Sequence, residues 1–411
     1  MISFETPKPI ANVQNVTQML AENMMRPVSR HFDENEREIP WAFINFLHDA
    51  MRQTGAGSLS PGASGKKAPS LAYQTLIFLI EMLSWGDAGI YLCIPGGGLG
   101  AAAIEATGTP EQKKRFLARF KAEKPAFGAM AMTEAHAGSD TSAIRTTAVL
   151  DQEAGEWVLN GEKIFVTAGK KSLEDTDGLV VIWATIEPES GRAGMRPFVV
   201  EAGTPGIKVA KLEHKLGIRA SDTASLVIQD CRIPYENILG SPEVVKRKST
   251  SAGFKGAMKT FDNTRPLVSA SAVGVARATL ELLKEMLSEQ GIEIRYGLPR
   301  QKLTNIECEV IDMEVMLRSA WLLTIKAAWM TDNGKPNPLE ASMSKVRAGE
   351  IVNKITQKAV ELMGPVGYSR EHLLEKWFRD AKISDIYEGT GQINRLIVAR
   401  HILGYSGSML R

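Results

Sequence analysis

The sequence is poor in the features that mark disulfide-rich and metal-binding proteins. It has three cysteines in 411 residues, Cys93, Cys231 and Cys308, and they lie far apart. No CxxC pair occurs, so the chain offers neither a disulfide framework nor a zinc-type ligand pattern. The cysteines therefore indicate reduced thiols in a cytosol-like compartment, and we predict no metal site.

Signals for membranes, secretion and nucleic acid are also scarce. No uninterrupted apolar run reaches the ~18 to 20 residues that span a bilayer. The first residues, MISFETPKPIANVQ, lack the basic and apolar segments of a signal peptide. The formal net charge is only +2, which gives no electrostatic reason to expect nucleic acid as a partner. We therefore expect a cytoplasmic protein with no membrane span and no nucleic-acid partner.

What the chain does contain is enough apolar sequence, 44% of its residues, to bury the cores of two or three domains. Residues 1–125 have apolar side chains at helical spacing, residues 126–240 change to extended segments between turn residues, and residues 241–411 return to the helical period. We predict an N-terminal all-α domain, a middle β-domain of mostly antiparallel strands and a C-terminal helical domain with these bounds, hence an α+β multidomain fold.

Two glycine patterns predict local backbone structure in these domains. Asn160-Gly161, between Trp157–Leu159 and Lys163–Thr167, is typical of the two-residue turn of a β-hairpin. The run Gly96-Gly97-Gly98-Leu99-Gly100 lacks the GK[ST] ending of a phosphate loop. We predict that this run is a helix break with close backbone packing.

Helix boundaries in the last third are predicted from proline and glycine. Thr264 followed by Pro266 predicts the start of a helix. Gly364-Pro365 predicts the end of another. The basic run Lys246-Arg247-Lys248 is typical of a solvated loop, although near a nucleotide it could also meet a phosphate.

A turn around Glu388 joins two predicted helices. One ends near Lys382, and the next begins near Thr390, whose hydroxyl suits an N-cap. The alternative is an ordinary helix start, since an acid is favourable near the positive helix N-terminus. The stretch RDAKIxxIYEGTxQIxRxIxAR, from Arg379 to Arg400, resembles the C-terminal signature of the acyl-CoA dehydrogenase family. That resemblance implies that Glu388 is the base that removes the α-proton of an acyl thioester.

A second signature supports the same family. Thr133 to Asp140 resembles its TExxxGSD motif, and Phe165-Val166-Thr167 resembles its Trp-Ile-Thr or Phe-x-Thr motif, so the resemblance implies an FAD cofactor. It also implies a fold with a middle β-barrel-like domain and a C-terminal four-helix bundle. His136 stands where relatives have Gly, and we interpret it as exposed loop. The residues carried over as FAD contacts are Met130, Met132, Thr133, Gly138, Ser139, Phe165, Val166, Thr167, Arg295, Tyr296, Glu361, Gly364, Gly389, Thr390 and Gln392.

The segment Phe261 to Pro266 resembles the medium-chain branch of the family, where Asp and Arg line the CoA channel. Some relatives carry the base at the position of Thr264, which cannot serve as one, and this supports Glu388 as the sole base. The residues carried over as substrate contacts are Ser139, Phe261, Asp262, Arg265, Tyr387 and Gly389.

The chain departs from the family at the adenosine end of the cofactor site. The Arg of an Arg-x-x-Phe-Gly motif is displaced to Arg295, a Gln is replaced by Thr304, and the Gln of Gln-x-x-Gly-Gly is replaced by Glu361. These changes put the family's way of holding FAD across subunits in doubt, and they are compatible with altered assembly.

The resemblance implies α,β-dehydrogenation of an acyl-CoA, with Glu388 as base and flavin N5 as hydride acceptor, to give a trans-2-enoyl-CoA. It implies electron-transfer flavoprotein as a partner and a homotetramer, or dimer of dimers, as the assembly. Two alternatives stay open: a flavoenzyme of the same fold with another outcome (oxidase, desulfinase or decarboxylating enzyme), and a weakly active subunit of a hetero-oligomer.

Overall fold

The computed structural model describes residues 5–54, 70–243, 252–405 and 409. The basic run at residues 246–248 lies outside these ranges. The N-terminal third of the described chain is helical, as predicted, and its closing helix begins with a capping box in which Thr109 and Gln112 bond each other's backbone. The helices are α1 (Lys8–Leu20), α2 (Ser29–Glu34), α3 (Trp41–Thr54), α4 (Ala72–Tyr91), α5 (Gly98–Thr107) and α6 (Pro110–Leu117).

The glycine run between α4 and α5 packs backbone against backbone, which confirms the predicted helix break. A Cβ on Gly97 would lie 2.2 Å from that of Ala101, and one on Gly100 would lie 2.8 Å from the carbonyl oxygen of Ala129. A side chain at position 100 would push α5 away from the first strand of the β-domain, and one at position 97 would clash with α5 itself.

The middle third forms a curled sheet in which antiparallel pairs outnumber parallel ones. The strand order is β1-β4-β2-β3-β7-β6, with β5 paired to β4. Only the β1–β4 and β2–β4 pairs of this sheet are parallel. The strands are β1 (Gly128–Ala131), β2 (Thr147–Asp151), β3 (Glu156–Thr167), β4 (Leu179–Thr185), β5 (Met195–Glu201), β6 (Ile207–Leu212) and β7 (Thr223–Pro234).

The predicted hairpin at Asn160-Gly161 is wrong. Residues 156–167 are one continuous strand, β3, and the chain reverses before it, between β2 and β3. Asn160 instead forms two hydrogen bonds with Asp230 across a bulge in the β3–β7 pair. Gly161 is needed for space rather than for a turn, because a Cβ there would lie 2.5 Å from Thr146 Oγ1.

The C-terminal third consists of helices that share a core with α4. Buried residues of α4, α7, α8, α9 and α10 form a single apolar cluster. The helix α8 begins with a capping box between Thr304 and Glu307. The helices are α7 (Ala252–Glu289), α8 (Asn305–Asp332), α9 (Pro338–Tyr368), α10 (Leu374–Ala381) and α11 (Gly391–Leu403).

Both helix boundaries predicted from proline need correction. Helix α7 begins at Ala252, so Thr264 and Pro266 lie inside it. Because Pro266 has no N–H, it removes one helical hydrogen bond without ending the helix. At Gly364, with φ of 54°, helix α9 is kinked and continues to Tyr368 rather than ending. Among the described helices, only residues 260–289 of α7 are long and apolar enough to cross a membrane, and 72% of that window is buried within the protein.

Candidate active site

The residues that precede α11 form a tight turn, which we call the Glu388 turn (residues 386–390). Glu388 and Gly389 both adopt left-handed backbone conformations, with φ of 57° and 88°. A glutamate rarely adopts positive φ, so the surrounding structure must hold it there. Thr390 accepts a hydrogen bond from the backbone N–H of Ile393 and is the predicted N-cap. Asn394, which the sequence analysis did not single out, donates to the carbonyls of Gly389 and Thr390 at 2.8 and 3.0 Å.

The Glu388 carboxylate faces helix α7. Thr264 Oγ1 donates to Glu388 Oε2 at 2.7 Å, so the residue that occupies the alternative base position contacts the predicted base directly. Burial raises the pKa of Glu388, although the Thr264 hydrogen bond and the charges of Arg265 and Lys345 oppose the rise. A half-buried carboxylate with a raised pKa is a stronger proton acceptor than one in water.

Arg265 lies behind the same turn. It is 4% exposed, and its Nη1 donates to Asp262 Oδ1 at 2.9 Å. Its Nη2 lies 3.6 Å from where a Cβ on Gly389 would be. The structure thus brings Asp262, Arg265 and Gly389, all predicted substrate contacts, together with Glu388. Within the described chain the Arg265 Nε has no hydrogen-bond partner.

We predict that Arg265→Lys lowers turnover or acyl-CoA affinity more than tenfold, equivalent to ~1.4 kcal/mol. A lysine keeps the charge but cannot direct separate N–H groups at Asp262 and at the turn. Steady-state kinetics and acyl-CoA titration would measure the two effects. Arg347→Lys, which changes an arginine that bonds Ser319 on the neighbouring helix α8, is the control. Unchanged kinetics in Arg265→Lys would reduce Arg265 to a structural helix residue.

The loop after β1 carries the Thr133–Asp140 motif, and a buried ion pair fixes the backbone of this loop. Lys163 Nζ donates to Met132 O at 3.1 Å and to Glu134 Oε1 at 2.7 Å. The Glu134 carboxylate also accepts from the backbone N–H groups of Arg145 and Thr146, and the charge of Lys163 and these bonds lower its pKa against the effect of burial. Residue identities alone did not show that Lys163 pairs with Glu134, since they are 29 positions apart.

The predicted flavin contacts of this loop are accessible. Residues Gly138 and Ser139 are exposed, and a Cβ on Gly138 would meet nothing within 4 Å. His136 is exposed, as predicted, and its Nε2 lies 3.0 Å from Ala143 O. Exposed small residues next to a rigid ion pair allow a ligand to approach the backbone closely.

Phe165 gives a further test of whether FAD fits. It has a φ of 58° in a bulge of β3, and its side chain is 60% exposed although Val166 beside it is 1% exposed. A hydrogen bond joins this bulge to the loop after β1, because Ile164 N donates to Thr133 O at 2.9 Å. An aromatic side chain turned outward by a strained backbone fits a planar ring that would cover it. The residues of this region therefore fit an isoalloxazine ring.

The residues predicted for the adenosine end have partners within the C-terminal helices. Arg295 forms a bidentate pair with Glu307, at 2.7 Å for both hydrogen bonds. Tyr296 donates to Glu314 at 2.7 Å, and Glu361 pairs with Lys358. The roles of Arg295, Tyr296 and Glu361 in FAD binding stay predictions, as do those of Gly364 and Gln392.

Comparison with known proteins is consistent with this arrangement. The N-terminal, middle and C-terminal domain models of the acyl-CoA dehydrogenase family match residues 11–124, 129–231 and 251–403. The chain is 39% identical over 301 residues to acryloyl-CoA reductase (NADH) of Anaerotignum propionicum, a match that covers 73% of this chain and 72% of the relative.

Solved structures agree along almost the whole chain. Butyryl-CoA dehydrogenase of Megasphaera elsdenii matches with a TM-score of 0.83 and 30% identity, over 98% of this chain and 100% of that one. A structure described as the electron transferring flavoprotein of Acidaminococcus fermentans, in work on flavin-based electron bifurcation, matches with a TM-score of 0.83 and 31% identity over the same shares. These matches confirm the predicted fold class. The chain belongs to the acyl-CoA dehydrogenase family of FAD-dependent oxidoreductases.

Proposed function

We propose that this chain catalyses α,β-dehydrogenation of a short acyl-CoA thioester to the trans-2-enoyl-CoA, with Glu388 as the α-proton base. The observation that carries the proposal is the Glu388 turn, in which a carboxylate of raised pKa is held in a strained conformation beside Thr264 and Arg265. Strain of this kind is typical of residues fixed for chemistry.

The turn also offers a donor for the thioester oxygen. Within the described chain, the backbone N–H of Glu388 has no hydrogen-bond acceptor. An α-proton is too weakly acidic for a carboxylate unless the charge developing on the thioester oxygen is stabilised, and a preorganised N–H supplies that stabilisation. Glu388 would thus provide both the base and one donor. FAD, when bound, supplies the hydride acceptor.

The opposite direction is the second candidate, favoured by the similarity to acryloyl-CoA reductase. The same site would then reduce an enoyl-CoA, with protonated Glu388 returning the proton to Cα. The raised pKa of Glu388 serves this direction also, because at a given pH it keeps more of the carboxyl group protonated than an ordinary pKa would.

The direct test is a panel of acyl-CoAs (straight, branched, cyclic and dicarboxylic), scored by anaerobic bleaching of the flavin. Bleaching by butyryl-CoA supports the proposal, and an enzyme bleached by no acyl-CoA contradicts it. Crotonyl-CoA or acryloyl-CoA added to the dithionite-reduced enzyme tests the reverse direction, which is supported if the yellow colour returns. Rapid reoxidation of the bleached enzyme by air would identify an oxidase instead.

The similarity to butyryl-CoA dehydrogenase is the basis for proposing a short acyl group, and Tyr91, at the end of α4, is the residue that we propose limits its length. Burial raises the pKa of Tyr91, and the charges of Tyr387 and Glu388 raise it further, which places its hydroxyl in the electrostatic field of the catalytic turn. We infer from this coupling that the Tyr91 ring lies on the acyl side of the turn and limits the length of the acyl chain.

We predict that Tyr91→Ala shifts the chain-length preference towards longer acyl groups. The ratio of kcat/KM for octanoyl-CoA to that for butyryl-CoA should rise at least tenfold, since a single methylene in a pocket is worth ~1–3 kcal/mol. Tyr91→Phe, which keeps the ring, is the control and should leave the ratio unchanged. An unchanged ratio in Tyr91→Ala would place the end of the pocket elsewhere.

For the partner we propose an electron-transfer flavoprotein, supported by the structural similarity to the chain described with that protein of A. fermentans. For the assembly we propose a homotetramer. Purification separates this from the hetero-oligomer alternative, because a yellow homotetramer that acyl-CoA bleaches excludes an inactive subunit.

A further inference from the structure

One stripe of helix α9 holds the backbone that leads into the Glu388 turn. Lys345, Gly349 and Asn353 lie one helical turn apart on this helix. Lys345 Nζ donates to Ser384 O at 2.6 Å, and Asn353 Nδ2 donates to Ala381 O at 3.3 Å. Between them Gly349 leaves no gap, since a Cβ there would lie 2.8 Å from Ser384 O. The backbone of residues 381–385 is thus fixed against α9 at three levels.

Lys345 is the unusual member of this stripe. It is 1% exposed, and its ammonium lies 5.7 Å from the centroid of the Tyr387 ring. The carboxylates that act on it are those of Asp385 and Glu388. A buried ammonium is costly unless its hydrogen bonds and its charge are used, and neither takes part in the proposed proton and hydride transfers.

We propose that Lys345 is a positioning residue for the reaction: it anchors the backbone before Glu388 and supplies buried positive charge that favours the ionised, proton-accepting carboxylate. This inference rests on the proposed function, because it gives Lys345 a role only if Glu388 is the base. Lys345 lies on α9 and Glu388 follows α10, so the two residues could not be paired from the sequence alone.

The charged and titratable groups around Glu388 come from four segments. Positive charge comes from Arg265 on α7, which is partly neutralised by Asp262, and from Lys345 on α9. Tyr91 of α4, and Tyr387 and Asp385 beside Glu388, are the other titratable groups near it. Of the two cations, Lys345 is the one without a salt bridge of 4 Å or less in the described chain. Its charge therefore acts on the turn.

The titration of Lys345 itself limits the pH range of the effect. Burial lowers the pKa of Lys345 to about 8, against the opposing influence of Asp385 and Glu388. Below that pH the ammonium is charged and favours ionised Glu388. Above it the charge is lost, so variants without the charge should approach the wild-type rate as the pH rises.

The experiment compares Lys345→Gln, which keeps a donor for Ser384 O, with Lys345→Met, which does not. Butyryl-CoA would reduce the flavin of each enzyme in a stopped-flow instrument over a pH range that extends to both sides of the Lys345 pKa of about 8. In both variants we expect the rising limb of the plot of reduction rate against pH to lie ~1 pH unit higher than in the wild type. On the acid side of the plot this shift corresponds to a rate about tenfold lower. Lys354→Met, on the same helix but exposed and paired with Glu350, should match the wild type.

A second pair of variants tests the same charges, and its first member leaves Lys345 intact in case the single lysine variants do not fold. Asp385→Asn should move the limb to lower pH by removing a negative charge, and adding Lys345→Gln to it should move the limb back up. The inference is overturned if Lys345→Gln lowers the reduction rate equally at every pH. It is also overturned if Asp385→Asn and its double variant with Lys345→Gln show the same dependence of the reduction rate on pH. Such a result leaves the proposed function intact, because that depends on the loss of flavin reduction in Glu388→Gln.

Discussion

Glu388→Gln should fold, bind FAD and bind acyl-CoA, yet its flavin should be reduced ~10²- to 10⁴-fold more slowly, the loss typical of a missing general base. Glutamine keeps the size of the side chain and can still accept the hydrogen bond that Thr264 donates at 2.7 Å. What it lacks is basicity. Stopped-flow reduction is the proper measurement, because product release or reoxidation can hide the chemical step in steady-state turnover.

The pH dependence of the wild type is part of the same prediction. Because the pKa of Glu388 is raised, the carboxylate is protonated at low pH and the reduction rate should rise with pH through that pKa. Glu388→Asp should keep partial activity, limited by its shorter reach. If the flavin of Glu388→Gln is reduced within a fewfold of the wild-type rate, the base is another residue and the proposed mechanism is wrong.

Lys376→Met should lower the free energy of unfolding by about 3–5 kcal/mol, the cost of leaving a buried charge without its partner. Lys376 is 2% exposed, and its ammonium lies 2.7 Å from Asp87 Oδ2 and 2.6 Å from Asp380 Oδ2. Asp380 also accepts a hydrogen bond from the backbone of Ile218. The cluster therefore joins α4, α10 and the loop before β7, and two buried carboxylates would face each other if the lysine were removed.

Urea denaturation of the holoenzyme at several pH values would measure the loss. It should shrink as the pH falls, because burial raises the pKa of Asp380 and protonation of this carboxyl group removes an unpaired buried charge in the variant. Lys354→Met is the matched control: Lys354 forms an exposed pair with Glu350, and such helix pairs are worth only about 0.3–0.5 kcal/mol. An unfolding midpoint for Lys376→Met equal to that of the control would show that the cluster does not stabilise the fold.

The sequence predicted the order of helical and extended segments because these depend on periodicity, which each segment carries within itself. The strands β1 to β7 all lie within residues 126–240, the block that was predicted to be extended. Thr390 was predicted as an N-cap from its neighbours alone. The family and the cofactor were predicted from the two signatures around Thr133 and Glu388, since these residues are contiguous in the chain.

Tertiary contacts decided the points at which local patterns failed. Asn160-Gly161 has the composition of a turn, but pairing with β7 and the close packing against Thr146 hold it in a continuous, bulged strand. Thr264 and Pro266 look like a helix start, yet the helix extends through them, and the Thr264 hydroxyl bonds Glu388 instead of a backbone N–H.

The surroundings of the base were likewise decided by the fold. The sequence by itself determined that a carboxylate stands in a glycine-containing turn before a helix, because that requires only neighbouring residues. Its hydrogen bond with Thr264 and its electrostatic interactions with Arg265, Lys345 and Tyr91 involve helices α7, α9 and α4. Burial and charge at one point in space depend on the packing of segments distant in sequence, so the protonation chemistry of Glu388 is set by the tertiary structure.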